Sequence, residues 1–286
     1  MKAPSYTSRR ALLNRFVCLG FCAPIPVLTL LRPAAADTPA AGLPPADLSE
    51  PEARQVVAVV DGDTLRLDRG EVLRLAGIEA AKLSLAADPA MAALEAEGRD
   101  SLAQLVGAGT ITLRYDRMRR DRYGRLLAQA FNAAGLWLQA AQVESGTVRI
   151  HGDGANRRGL RDLLALEATA RNRGLGIWRN RAFAVRDAGD PGLKRLAGSF
   201  QIVAGRVVAA ALVKDSGYIN FGADRRTDLT LVLKRPVLQV MKAEADPTMI
   251  DLPSLGGRRI RCRGWLDLHD GPSIEISHPE QIEILE

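Results

Sequence analysis

Apolar positions along this chain alternate in short runs more often than they recur at helical spacing. Gln55–Leu67 is a β-branched run interrupted by Asp61-Gly62-Asp63, which predicts two strands joined by a tight turn. Val72–Ile78 predicts a third strand, Thr110–Tyr115 a fourth and Arg125–Phe131 a fifth, the last closed by an Ala134-Gly135 turn. Helical spacing governs three other stretches. Between Pro89 and Val106, the residues Leu94, Leu102, Leu105 and Val106 share a face. Leu136–Ser145 is stopped by Gly146, and Arg157–Asn172 places Leu160, Leu163, Leu164 and Ala168 on one stripe before Gly174. Five short strands and three helices predict a small barrel with helices packed on it.

A second series of strands begins near Ser199. Gln201–Val213, Tyr218–Phe221, Thr227–Leu233, Arg258–Leu266 and Ser273–Ile276 are strand-like, with one helical stretch, Val237–Ala245, between the third and fourth. This is the element order of an OB-like barrel. The expected fold class is therefore β-rich α+β: an OB-type five-stranded barrel with three helices, plus a second, smaller OB-like β-barrel. The expected domains are a signal peptide at 1–36, a proline-bearing linker at 37–54, the first barrel at 55–185 and the second at 199–286.

Charge changes this picture mainly at the N-terminus. The net charge is +6, but residues 1–36 hold five bases and no acid, so the remainder carries 34 bases against 33 acids. Any anion binding must then come from a local cluster rather than from global charge. Ser8-Arg9-Arg10-Ala11-Leu12-Leu13, an apolar run to Leu31 and the small residues Ala34-Ala35-Ala36 form a secretory signal, of the twin-arginine or the general type. The expected location is thus exported, periplasmic or secreted, with no stable membrane span after cleavage near Ala36. Only Cys262 lies beyond that segment, which excludes an intrachain disulfide and a cysteine-built zinc site in the mature chain.

Polar residues interrupt the apolar strands in three places. Asp61-Gly62-Asp63 sets two carboxylates at a turn, an arrangement that suits a hard cation, although taken alone Asp-Gly favours a plain hairpin turn. Arg74 sits inside a strand of apolar neighbours and must find an anion or reach solvent; a strand-end ion pair with Asp61 or Glu71 would satisfy it. Asp121-Arg122-Tyr123-Gly124-Arg125 closes a stretch holding six arginines within twelve positions (Arg114, Arg117, Arg119, Arg120, Arg122 and Arg125). Guanidinium forks match phosphate geometry.

In order, spacing and flanking sequence these stretches, with Gly174-Leu175-Gly176-Ile177-Trp178, resemble the thermonuclease (staphylococcal-nuclease-like) family over about residues 55–180. The resemblance implies an OB-type barrel and calcium-dependent hydrolysis of DNA and RNA phosphodiesters. It implies Asp63 as a calcium ligand, Asp61 as an acid near the metal, Arg74 and Arg125 as catalytic arginines, and Arg122 with Tyr123 as contacts to a terminal phosphate. After the strand arginine the family runs Arg-Leu-x-x-x-Asp-x-Pro-Glu, whereas this chain runs Arg74-Leu75-Ala76-Gly77-Ile78-Glu79-Ala80-Ala81-Lys82. Glu79 stands for a metal-ligand aspartate, and Lys82 for the glutamate that activates water.

A protonated lysine has no acceptor, so it cannot take the proton from water. Each negative charge lost near a divalent ion about 6 Å away weakens attraction by roughly 5 kcal/mol at an effective dielectric near 20, before solvent screening. Loss of a general base removes a further ~10²–10⁴ in rate. The leading expectation is an exported family member that binds nucleic acid or another polyanion, with calcium binding weak or lost and hydrolysis weak or absent. Lys82 would then bridge Asp63 or Glu79 in place of the metal. One alternative is a working calcium-dependent nuclease in which Lys82 points to solvent and Glu79 or Asp88 supports turnover. The other is a periplasmic module whose barrels bind envelope proteins.

In the second series, Tyr218, Phe221, Arg225, Arg226, Arg261, Arg263 and Trp265 could form an aromatic-basic face for single strands, one of the first two being core instead. The acidic tail with Glu280, Glu283 and Glu286 favours a structural or protein-docking role there. His151, His269 and His278 show no ligand-like spacing and read as structural or surface residues. Cys262, Trp137 and Trp178 read as packing residues.

Overall fold

The computed structural model describes residues 45–82, 88–244, 252–268 and 270–285. The signal segment and His269 lie outside them. The first strands are β1 (Glu52–Asp61), β2 (Thr64–Leu67), β3 (Val72–Leu75) and β4 (Ile78–Ala80), followed by α1 (Pro89–Val106), β5 (Thr110–Arg114), β6 (Leu126–Asn132), α2 (Leu138–Glu144), β7 (Val148–Ile150) and α3 (Leu160–Asn172). A closed barrel forms in the order β1-β2-β3-β6-β5, and β4 pairs with β7 as a separate ribbon. The five-stranded barrel with three helices is thus as expected. Leu65, Leu67, Leu73, Leu75, Ile111 and Leu113 fill it, each at most 1% exposed.

Three details depart from the sequence reading. The single strand expected over Val72–Ile78 is two, because Gly77 adopts φ +84° and turns the chain between β3 and β4. The sequence pattern predicts no strand where β7 lies. The segment read as linker ends earlier, since β1 already starts at Glu52 and Leu48 is buried.

Helix α1 begins on Asp88, whose side chain accepts a hydrogen bond from Ala90 N, with Pro89 in the first turn. Its buried face is Leu94, Gly98, Leu102 and Val106. Gly98 permits the helix to pass directly over the Asp61–Asp63 turn: a Cβ on Gly62 would lie 3.1 Å from the Gly98 carbonyl carbon. Gln142 on α2 locks this crossing, donating to Gly62 O at 2.8 Å and to Gly98 O at 3.0 Å.

The second series comprises β8 (Arg186–Asp187), β9 (Ser199–Arg206), β10 (Ala209–Val213), β11 (Ser216–Asn220), β12 (Thr230–Leu233), α4 (Arg235–Ala243), β13 (Arg259–Leu268), β14 (Pro272–Ile276) and β15 (Ile282–Ile284). These strands make one curled, barrel-like sheet of eight, ordered β10-β11-β12-β14-β13-β9-β8 with β15 on β13. The run read as one strand over Gln201–Val213 is split into β9 and β10. Val203, Ile219, Leu231, Ile260, Cys262 and Ile274 form its core.

Residues 39–286 form one compact unit. The two sheets are joined by a buried carboxylate, Glu167 of α3. Its Oε1 accepts from Ile150 N at 2.8 Å and from Arg263 at 3.0 Å, and its Oε2 pairs with Arg263 at 2.8 Å and Arg171 at 3.1 Å. Arg263, at 1% exposure, also reaches Glu283 at 2.7 Å. Arg261 pairs with Glu283 as well, and Phe221 is buried. Two arginines of the aromatic-basic face expected on the second sheet are thus tied to carboxylates, and Phe221 is the one of its first two aromatics that belongs to the core, while Trp265 stays exposed.

Candidate functional site

The turn between β1 and β2 aims both of its carboxylates to one side. Asp61 accepts a hydrogen bond from Asp63 N at 2.9 Å, the local bond that shapes an aspartate turn. The β2–β3 register sets Thr64 opposite Arg74, and Leu75 N donates to Asp63 O at 2.8 Å, so the Arg74 guanidinium forms an ion pair with Asp63. Arg74 thus meets its anion in Asp63, not in Asp61 or Glu71; Glu71 instead pairs with Arg54 and Arg120.

Lys82 closes the cluster. Its ammonium lies 2.7 Å from Asp61 Oδ2 and 3.2 Å from Asp63 Oδ1. Thr64 Oγ1 donates to Asp63 Oδ1 at 2.7 Å, and Ala80 N donates to Oδ2 at 2.6 Å. Burial alone would push the Asp63 carboxyl pKa up; the charges of Arg74 and Lys82 and the hydrogen bonds from Arg74 and Ala80 N outweigh it and hold it well below the usual carboxylate range. The Lys82 bridge expected from sequence is present with Asp63, but its second partner is Asp61, not Glu79.

Glu79 is held elsewhere. The β4–β7 register places it opposite Arg149, whose Nε and Nη2 both donate to Glu79 Oε2, at 2.9 and 2.6 Å. Arg149 also donates to Phe200 O at 3.2 Å and lies 4.5 Å over the Phe200 ring. An arginine inside a short apolar strand was the signal that singled out Arg74; the same signal in Val148-Arg149-Ile150 marks Arg149. Asp88 caps α1 and takes no part in the cluster.

Calcium takes six to eight oxygens at about 2.3–2.6 Å. Here Asp63 already accepts from four donors, Glu79 is held by an arginine, and an ammonium stands between Asp61 and Asp63. Among the described residues no group of three or more histidine, cysteine, aspartate or glutamate side chains is arranged to hold a metal. The donor set around these carboxylates does not fit a calcium ion.

Beside the cluster opens a cleft of about 560 Å³ that brings Arg74, Glu79, Arg122, Tyr123 and Arg125 together. Arg125 is paired with Asp121 at 2.6 Å, and Asp121 also accepts from Tyr123 N and Arg125 N, which fixes the turn. The Arg122 guanidinium lies 4.9 Å and that of Arg125 5.5 Å from the Tyr123 ring centroid. Tyr123 is 69% exposed, so this stack faces the open side. Arg119 and Arg120 are paired with Glu52 and Glu71, which removes them from the free basic surface that six neighbouring arginines suggested.

Two further residues line the cleft, one expected as a structural or surface histidine and one as part of the face on the second sheet. His151, which follows β7, lines the cleft, and burial holds its imidazole pKa below the ordinary value against the pull of nearby Glu79. Trp265 belongs to β13 of the second sheet, yet it lines this same cleft. His278 is buried against Glu280, Cys262 is fully buried in the second core, and Trp137 is buried in the first.

No match is found for this chain among curated proteins. Residues 72–180 match the family model described as "Staphylococcal nuclease homologue". That span runs from β3 through α3 and contains Arg74, Glu79, Lys82, Arg122, Tyr123 and Arg125. With the closed five-stranded barrel and the strand arginine facing a carboxylate turn, the match establishes that the chain carries a staphylococcal nuclease homologue domain.

Proposed function

We propose that this chain is an exported protein of the nuclease family whose cleft binds nucleic acid or another polyanion, with phosphodiester hydrolysis weak or absent. The observation that carries the proposal is the Lys82 ammonium, 2.7 Å from Asp61 and 3.2 Å from Asp63, at the position where the family pattern has its water-activating glutamate. Cation chemistry at that place is supplied by the chain itself. A protonated ammonium withdraws electron density but accepts no proton, so water would lack a base there. Arg122, Arg125 and Tyr123 keep the open, phosphate-directed side of the cleft, and guanidinium groups remain charged at every working pH. Arg74, spent largely on Asp63, holds the carboxylate turn in place of polarising a phosphate.

The experiment is a gel-retardation and cleavage assay with single-stranded DNA, duplex DNA and RNA, each with calcium and with chelator. Retention that weakens with salt and leaves the strands intact in both conditions is the expected result. Rapid, chelator-sensitive digestion would establish a working calcium nuclease, and absence of retention at low salt would favour an envelope-protein partner.

A further inference from the structure

The cleft has a wall that the family domain does not provide. Trp265 lies on β13, outside the matched span, in register opposite Phe200 of β9. Its ring stands 6.4 Å from Phe200 at 86° and 6.5 Å from His151 at 84°, edge-to-face arrangements that fix an indole without covering it. His151 packs in turn on Phe200 at 4.8 Å. Trp265 nonetheless remains 56% exposed, whereas Phe200 beneath it is 6% exposed. A large aromatic ring held by two edge contacts and left open costs apolar exposure, while Phe200 opposite it is buried. The exposed ring shares its cleft with Arg122, Arg125 and Tyr123.

We infer that Trp265 is a base-stacking platform, contributed by the second sheet, that receives an unpaired nucleobase of a nucleic-acid strand whose phosphate is held by Arg122 and Arg125. This inference rests on the polyanion-binding reading and narrows it to single-stranded nucleic acid. Bases in a duplex are already stacked on one another, so only a single strand or a frayed end presents a free π-face to the indole. A cleft of about 560 Å³ that sets two open rings, Tyr123 and Trp265, beside Arg122 and Arg125, with Glu79 and Asp121 of its acids already paired to arginines, suits a ligand that is anionic at one end and flat at the other. The chain's low aromatic content, 5%, makes an open tryptophan beside the arginines a specific feature, not a common one.

The test compares a 5′-phosphorylated oligothymidine with a chain of equal length and phosphate number in which the bases are absent, by fluorescence anisotropy at low salt. The intact oligonucleotide should bind roughly tenfold or more tightly than the abasic chain, and it alone should quench tryptophan emission. Trp265→Ala should erase that preference while leaving abasic-chain affinity within about twofold, and Trp265→Phe should restore part of it. Equal affinity for the two chains, or a Trp265→Ala variant that weakens both alike, would overturn the platform and leave polyanion binding intact. Failure of both chains to bind would overturn the polyanion reading and the platform with it.

Discussion

Replacing Lys82 by glutamate tests whether the ammonium stands in for a metal. At 2.7 and 3.2 Å from two carboxylate oxygens, each ion pair has a gross Coulomb energy of about 3 kcal/mol at an effective dielectric near 40. That dielectric is set between the surface and bulk values because the Lys82 side chain is 43% exposed. Net values for pairs this accessible fall to about 0.5–1 kcal/mol each, so removing the ammonium relieves roughly 1–2 kcal/mol of competition with an incoming cation. Adding a carboxylate about 5 Å from a divalent ion contributes roughly 2 kcal/mol more at a dielectric near 60. Lys82→Glu should therefore raise calcium affinity by about 10²–10³-fold. Arg149→Ala, which releases Glu79 Oε2 from its two arginine hydrogen bonds, should add to it, and Glu79→Asp restores the family's side-chain length. Titration calorimetry with calcium chloride on the wild type, Lys82→Glu and Lys82→Glu/Arg149→Ala measures this directly, and calcium-dependent cleavage of single-stranded DNA is the functional readout. Micromolar calcium binding by the wild type, or a change of less than threefold in Lys82→Glu, would refute the reasoning.

Two further predictions concern stability. Arg263→Ala leaves the buried Glu167 without its main partner, a loss of about 3–5 kcal/mol, which should lower Tm by roughly 6–15 °C. Because this network spans both sheets, calorimetry should show one unfolding transition, and two well-separated transitions in the wild type would contradict the shared unit. The Glu280 carboxyl, which burial would raise, is lowered to about 2 by hydrogen bonds from His278 and Arg157. A depressed carboxyl stabilises the fold above its ordinary value near 4.5 and loses that contribution as pH falls toward about 2. Urea denaturation should therefore show wild-type stability dropping by up to about 2–3 kcal/mol more than that of Glu280→Gln between those pH values, and parallel curves would count against it.

Much of the barrel was legible because its determinants are local. Alternation of apolar residues, the Asp61-Gly62-Asp63 turn and the proline-led start of α1 each act within a few residues, and each is found where the pattern places it. The substitution of Lys82 for an acid was also readable, since a charge reversal in a spaced motif needs no coordinates. The identity of its partners was not. Whether Lys82 meets Glu79 or Asp61 depends on β4 pairing with β7, which brings Arg149 to Glu79 across 70 residues of sequence. Likewise Arg263 looked like a surface base in a strand, and only the docking of α3 on β13 reveals the buried carboxylate it serves.

By itself, then, the sequence determined the closed barrel, the arginines beside a carboxylate turn and the reversed charge at Lys82, because period, turn chemistry and motif spacing are written in consecutive residues. Tertiary structure alone decided that Glu79 is withdrawn by Arg149, that Asp63 has its acceptor sites filled, and that Trp265 from another sheet walls the cleft. Those outcomes arise from long-range strand pairing and from burial, which fix each charged or aromatic side chain to whichever neighbour the packed chain brings within a few ångströms.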